Sequence, residues 1–155
     1  MADTQAPLLE RLGYRLGRKT ACTKTITETD VVLFANMSGD NNPVHVRQDY
    51  AEKTFFGGRI AHGMLTLSVV SAATTRLPGL TILLSQQARF IKPVRLGDTV
   101  RAEIEVSQIR PDKAIVTVKN TCTNQRGEVV MEGETMVKIM EEVDCPLPKD
   151  AGWLE

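Results

Sequence analysis

From residue 99 onward, apolar residues recur at every second position. Val100, Ala102, Ile104 and Val106 alternate with Thr99, Arg101, Glu103 and Glu105. In the next run Ala114, Val116, Val118 and Cys122 alternate with Thr117, Lys119 and Thr121. The last run, 128–140, places Val129, Met131, Val137 and Ile139 on one parity. A period of two sends successive side chains to opposite faces, so these runs predict strands with one apolar and one polar face. Leu96-Gly97-Asp98, Arg110-Pro111-Asp112-Lys113 and Asn124-Gln125-Arg126-Gly127 supply turn chemistry between them. Short turns joining such strands give an antiparallel sheet that is wet on one side. Two further stretches, Cys22 to Ile26 and Leu80 to Pro93, bring the expected strands to about five.

Before residue 80 the pattern is helical. Thr27 is a natural N-cap, and Asp30, three residues on, is the carboxylate of a capping-box-like start. The helix it opens is expected to reach about Met37, with Val31, Val32 and Phe34 available for packing. Ser38 to Pro43 packs Gly, Asp, two Asn and Pro into a short stretch, which predicts a turn. Residues 46–53 suit a further helical turn, ended by Phe56-Gly57-Gly58. Gly63 to Arg76 is the second strong helix, stopped by Leu77-Pro78-Gly79. Its Met64, Leu65, Leu67, Val69, Val70, Ala72 and Ala73 cover nearly every face, which predicts a buried helix. One buried helix with about five antiparallel strands is an α+β domain, its sheet curled around the helix.

Composition narrows the class. A chain of 155 residues suits one domain with a sizeable core. We expect a weakly patterned, partly loose lead-in over 1–20, the domain over 21–142 and an irregular tail over 143–155. Lys plus Arg number 19 and so do Asp plus Glu, which leaves no basic footprint for nucleic acid. The three cysteines, Cys22, Cys122 and Cys145, are too few and too scattered for a disulfide framework or a zinc site. The start of the chain lacks the charged-then-apolar pattern of a signal peptide. The most apolar stretch, 60–73, is shorter than the roughly 18 residues of a membrane span. A reducing cytoplasm is the expected compartment, without membrane or metal.

Candidate chemistry sits in the turn SGDNNPVH, Ser38 to His45. Asp40 and His45 could work as an acid–base pair only if the chain folds sharply between them. On a helix, five positions place two residues about 140° apart; extended, they separate them by roughly 17 Å. Pro43 fixes its own φ and biases Asn42 toward extended backbone, while the asparagines favour tight turns. The same residue types also describe a turn-capping aspartate and a satisfied interior histidine. Residue types alone do not separate the two.

A resemblance bears on that choice. The stretch Phe34 to His45 (FANMSGDNNPVH) resembles the hydratase signature of the MaoC-like, (R)-specific enoyl-CoA hydratase family. Gly58 to Leu65 (GRIAHGML) is similar to that family's entry into its central helix, and Ala88 to Val94 with Gly97-Asp98 to the strand and turn beyond it. The likeness runs from about residue 20 to 140. It implies a hotdog fold, an antiparallel sheet wrapped around a long central helix. It also implies a homodimer with the substrate tunnel along the subunit interface.

By resemblance, Asp40 and His45 activate one water for reversible syn hydration of a trans-2-enoyl-CoA to the (R)-3-hydroxyacyl-CoA. Gly63 aligns with the oxyanion-hole glycine, and an unpaired N–H at a helix start, without a side chain, is a chemically apt donor. Its plainer reading is a helix-start glycine. Ser71, Asn42 and His62 are further candidates for the substrate pocket. Their plainer readings are packing in the helix, shaping of the turn and a structural histidine at the helix start, the last preferred for His62. Arg59, Arg89, Lys92 and Arg95 are candidates for the coenzyme A phosphates, with solvated surface charge as the alternative. No cofactor is implied beyond the coenzyme A thioester as substrate. The rival activities are a hotdog acyl-CoA thioesterase and a non-catalytic acyl-CoA-binding protein.

Overall fold

The computed structural model describes residues 7–143. The tail expected beyond 143, with Cys145, lies outside them, as do residues 1–6. In chain order the elements are α1 (Leu8–Arg11), β1 (Lys19–Thr25), α2 (Glu28–Ser38), α3 (Pro43–Val46), α4 (Gln48–Ala51) and α5 (Gly63–Thr74). Strands β2 (Leu80–Phe90), β3 (Thr99–Arg110), β4 (Ile115–Thr123) and β5 (Val129–Met140) follow, with a 3₁₀ turn at Pro111–Lys113. The strands form one sheet in the order β1-β3-β4-β5-β2, every pair antiparallel. Helix α5 lies on it, mainly against β1 and β3. This is the α+β hotdog arrangement.

Alternation builds the core as expected along β3, where Val100, Ala102, Ile104 and Val106 are all buried. On β4 the inward set is Val116, Val118 and Cys122, and burial pushes the Cys122 thiol up to about 12, leaving it inert. Asn120 shares that parity, and its amide donates to Thr135 at 2.8 Å. The expected parity of β5 needs correction. Met131, Val137 and Ile139 are buried, but their companion is Val130 rather than Val129. The register slips between Cys122 and Thr123, so Met131 pairs with Cys122 and Val129 with Thr123. A bulge adds one residue and reverses the parity beyond it, which a strict period of two cannot anticipate.

Two further expectations change. Helix α5 ends at Thr74, two residues early, and it is not buried on every side. Val69, Val70 and Ala73 face the core, whereas Met64, Ser68, Ser71 and Ala72 are exposed. Strand β2, the edge beside it, also exposes Leu80, Ile82, Leu83, Leu84 and Phe90. The sheet covers one face of the helix, and among the described residues the side that bears Met64, Ser68, Ser71 and Ala72 stays exposed.

The lead-in is also better ordered than its pattern suggests. Leu9 on α1 is 2% exposed, Leu8 and Leu12 pack beside it, and the Tyr14 hydroxyl donates to the Pro78 carbonyl at 2.8 Å. Leu9→Ala is expected to cost about 2–5 kcal/mol in urea unfolding, because it opens a cavity in the main core. A loss near zero would mean that residues 8–14 are not part of the cooperative unit.

Candidate active site

Local hydrogen bonds fold the chain between Asp40 and His45. Helix α2 opens with the capping box: Thr27 Oγ accepts from Asp30 N–H at 3.2 Å, and the Asp30 carboxylate accepts from Thr27 N–H at 2.7 Å. It closes at Gly39, whose φ of 76° is left-handed backbone that glycine adopts without strain. Asp40 Oδ1 then accepts from Asn42 N–H (3.2 Å), and Asn42 Oδ1 accepts from Val44 N–H (3.3 Å). Pro43 begins α3, the first position of a helix, where its missing N–H costs nothing. Five residues are thus bent by two aspartyl-type turns in succession. Asn42 is spent on that bend and does not line the cleft described below.

His45 is buried, and its Nδ1 lies 2.8 Å from the Ile60 carbonyl. A carbonyl only accepts, so Nδ1 carries the hydrogen and a neutral His45 keeps its lone pair on Nε2. Burial, aided by the neighbouring His62, holds the His45 pKa below its ordinary value; the Ile60 bond and the field of Asp40 oppose that shift without cancelling it. The geometry and the electrostatics agree on a neutral imidazole with a free Nε2.

His62, 1% exposed at the N-cap of α5, binds the loop from beneath. Its Nε2–H donates to the Asp40 carbonyl at 2.9 Å. Its ring stacks on His45, centroids 4.0 Å apart, and meets Phe34 at 4.9 Å. Nδ1 of His62 is buried with no partner among the described residues. An Asp40 carboxylate oxygen, a His45 nitrogen and a His62 nitrogen fall within 4.8 Å of one another, close enough to raise a metal. Each ring, however, commits one nitrogen to a carbonyl, His45 Nδ1 to Ile60 and His62 Nε2 to Asp40, and the two rings pack on each other at a 33° tilt. The nitrogen left on His45 is Nε2, the atom a proton-transfer role would use.

A cleft of about 570 Å³ brings His45 and Gly63 together with Ile60, Met64, Phe90 and Lys92. Gly63 is the first residue of α5, where an N–H has no acceptor within the helix. A β-carbon on it would lie 2.9 Å from Cε1 of Phe90, so any side chain there would displace the ring from its present position. Asp40 is exposed and His62 buried, and neither is among the residues that line this cleft; each has a side-chain atom within 4.8 Å of a His45 ring nitrogen. Ser71 lines a neighbouring cavity of about 500 Å³ with Leu67, Leu83, Gln86 and Thr135.

The basic candidates separate. Lys92 lines the cleft, paired with Glu128 at 2.5 Å. Arg89 does not: it pairs across strands with Glu132 and borders a shallow pocket lined by residues of β2, β4 and β5. Arg95 holds the Phe56 and Gly58 carbonyls. Arg59 is likewise committed to protein. Its Nε donates to the His45 carbonyl at 2.6 Å and its Nη1 to both Glu28 oxygens at 2.8 Å, joining α3 to the start of α2. Sequence reasoning saw a cation at each position. It had no signal for the acceptors that claim them, which come from residues far away in the chain. Phe90 against Gly63 was missed for the same reason.

The chain matches the MaoC-like domain model over residues 15–126. An (R)-specific enoyl-CoA hydratase of Rhodospirillum rubrum is 48% identical over 125 residues, covering 79% of this chain and 86% of that protein. One from Aeromonas caviae is 38% identical, covering 80% of this chain and 94% of the relative. Among solved structures, an unliganded R-hydratase of Pseudomonas aeruginosa superposes with a TM-score of 0.77 at 42% identity, covering 87% of this chain and 90% of that one.

The tautomer and burial of His45 set its titration. By NMR its ring is expected to titrate with a midpoint below the ordinary value of about 6.5. The unfolded imidazole takes a proton at the higher pH, so this residue makes the fold less stable as pH drops through about 6.5. A midpoint above that value would contradict the burial argument.

Proposed function

We propose the activity of this chain from one premise: it belongs to the MaoC-like domain family. It is an (R)-specific enoyl-CoA hydratase, a hydro-lyase that adds water reversibly to a trans-2-enoyl-CoA and gives the (R)-3-hydroxyacyl-CoA. The observation that carries the assignment of roles is the neutral His45, its free Nε2 sharing a cleft with the unpaired Gly63 N–H.

In our reading, one water is held between the Asp40 carboxylate and His45 Nε2. The imidazole takes the water's proton as the oxygen bonds to C3. The C2=C3 pair moves toward C1, and the thioester oxygen becomes enolate-like against Gly63 N–H. The imidazolium returns a proton to C2 from the face that the oxygen used, which makes the addition syn and restores the thioester carbonyl. Asp40 orients the water and, by the field that raises the His45 pKa, stabilises the imidazolium while it lasts. Dehydration runs the same steps backward.

Lys92 is the cation we assign to the coenzyme arm, since it lines the cleft. We further propose a homodimer joined along β2. That strand closes one end of the sheet and, with Met64 of α5, exposes several large apolar side chains.

The test is purified protein with crotonyl-CoA, followed by the ultraviolet absorbance of the conjugated thioester and by a free-thiol assay. Loss of conjugation without thiol is the expected result. Thiol release would mean a thioesterase, and no change a binding protein. Asp40→Asn and His45→Ala should each lower the rate by at least roughly 10²-fold with the fold intact. Near-normal turnover in either would remove that residue from the mechanism.

A further inference from the structure

We propose that Phe90 and Met64 form a side-chain gate that sets the acyl-chain length this enzyme accepts. The proposal rests on the hydratase reading above and adds what that reading leaves open, the size class of the substrate.

Two cavities meet at the start of α5. The catalytic cleft holds His45 and Gly63, and the second cavity holds Leu67, Ser71 and Leu83. They share two lining residues, Met64 and Phe90. A thioester whose oxygen rests on Gly63 N–H therefore lies beside the wall between them. Its two arms need separate routes. The coenzyme arm carries phosphates and takes the cleft that Lys92 lines. An acyl arm longer than the reacting carbons has the second cavity before it, with Met64 and Phe90 in the way.

The wall can move without disturbing the core. Within one chain Met64 is 57% exposed and Phe90 51%, so the chain's own packing locks neither side chain; both lie on the face proposed above for the dimer, and the gate moves within that face. The Phe90 backbone is fixed: the residue pairs with Met131, and the next N–H, Ile91, donates to Val130 at 2.9 Å. Opening is thus a rotamer change of two side chains, one of them the adaptable methionine. As observed, the ring lies against the Cα of Gly63, in the space a β-carbon there would take. In that position it confines the acyl group to the catalytic cleft. A short enoyl chain fits in front of it, and a long one must displace it before gaining any contact behind.

Hydration of trans-2-enoyl-CoA substrates of four, six and eight carbons by the purified full chain tests this. Wild type should lose at least roughly tenfold in kcat/KM from four carbons to eight. Phe90→Ala should raise the eight-to-four ratio by roughly tenfold, and Met64→Ala should move it the same way. Adding Ser71→Phe to Phe90→Ala, which fills the cavity behind the wall, should abolish that gain. Circular dichroism checks each variant; should Phe90→Ala not fold, Met64→Ala decides alone. Unchanged ratios in the folded gate variants, or a wild type equally fast on eight carbons and four, would overturn the gate while the hydratase reading stands. Failure to hydrate any of the three would overturn both.

Discussion

The hydrogen bond from His62 Nε2–H to the Asp40 carbonyl joins the two halves of the site. One half is the bent loop that carries Asp40 and His45. The other is the start of α5, where the chain enters its packed helix and Gly63 offers its N–H. His62 belongs to the second half by sequence and to the first by its bond and by its stacking on His45. His62 itself is 1% exposed, so water does not readily replace the Asp40 carbonyl as the acceptor of its N–H. Arg59 works from the opposite side, tying the His45 carbonyl to Glu28 at the head of α2. The backbone carbonyls of the acid and the base are both held. Their side chains are each anchored by one atom, Asp40 Oδ1 on Asn42 N–H and His45 Nδ1 on the Ile60 carbonyl, which leaves Asp40 Oδ2 and His45 Nε2 for the reaction.

That division explains why a buried histidine and an exposed aspartate sit side by side. Burial costs the charged imidazole and favours the neutral ring, while Asp40 beside it stands in solvent. A proton passing between water and His45 is helped by the nearby carboxylate, whose field favours the imidazolium only once it forms. The thioester end needs no titratable group, because the head of a helix already presents an unpaired N–H. Chemistry and positioning fall to different atoms of a few residues.

Much of this was legible in the sequence wherever the cause is local. The Thr27–Asp30 box, the turn from Ser38 to Pro43 and the alternation along β3 each depend on neighbours within a few positions, and each stands as read. What was not legible depends on distant partners. A cation at Arg59 or Arg89 looks the same whether it meets a phosphate or a carboxylate brought in by folding, as Glu28 and Glu132 are. Leu9 reads as lead-in because four helical residues carry no period; the core beneath it comes from strands far along the chain. Val130 took the place of Val129 because a bulge is set by pairing between strands. The helix apolar on all sides was read as buried, but its pattern cannot say which faces the chain itself covers.

Replacing His62 tests most directly whether that single bond holds the site together. His62→Gln keeps an N–H that can reach the Asp40 carbonyl, and His62→Leu keeps bulk without a donor. With crotonyl-CoA, the leucine variant should lose roughly 10²-fold in kcat with a smaller change in KM, as expected when reacting groups shift by about an ångström. The glutamine variant should recover a substantial part of that loss. A folded leucine variant with wild-type kcat would contradict the account.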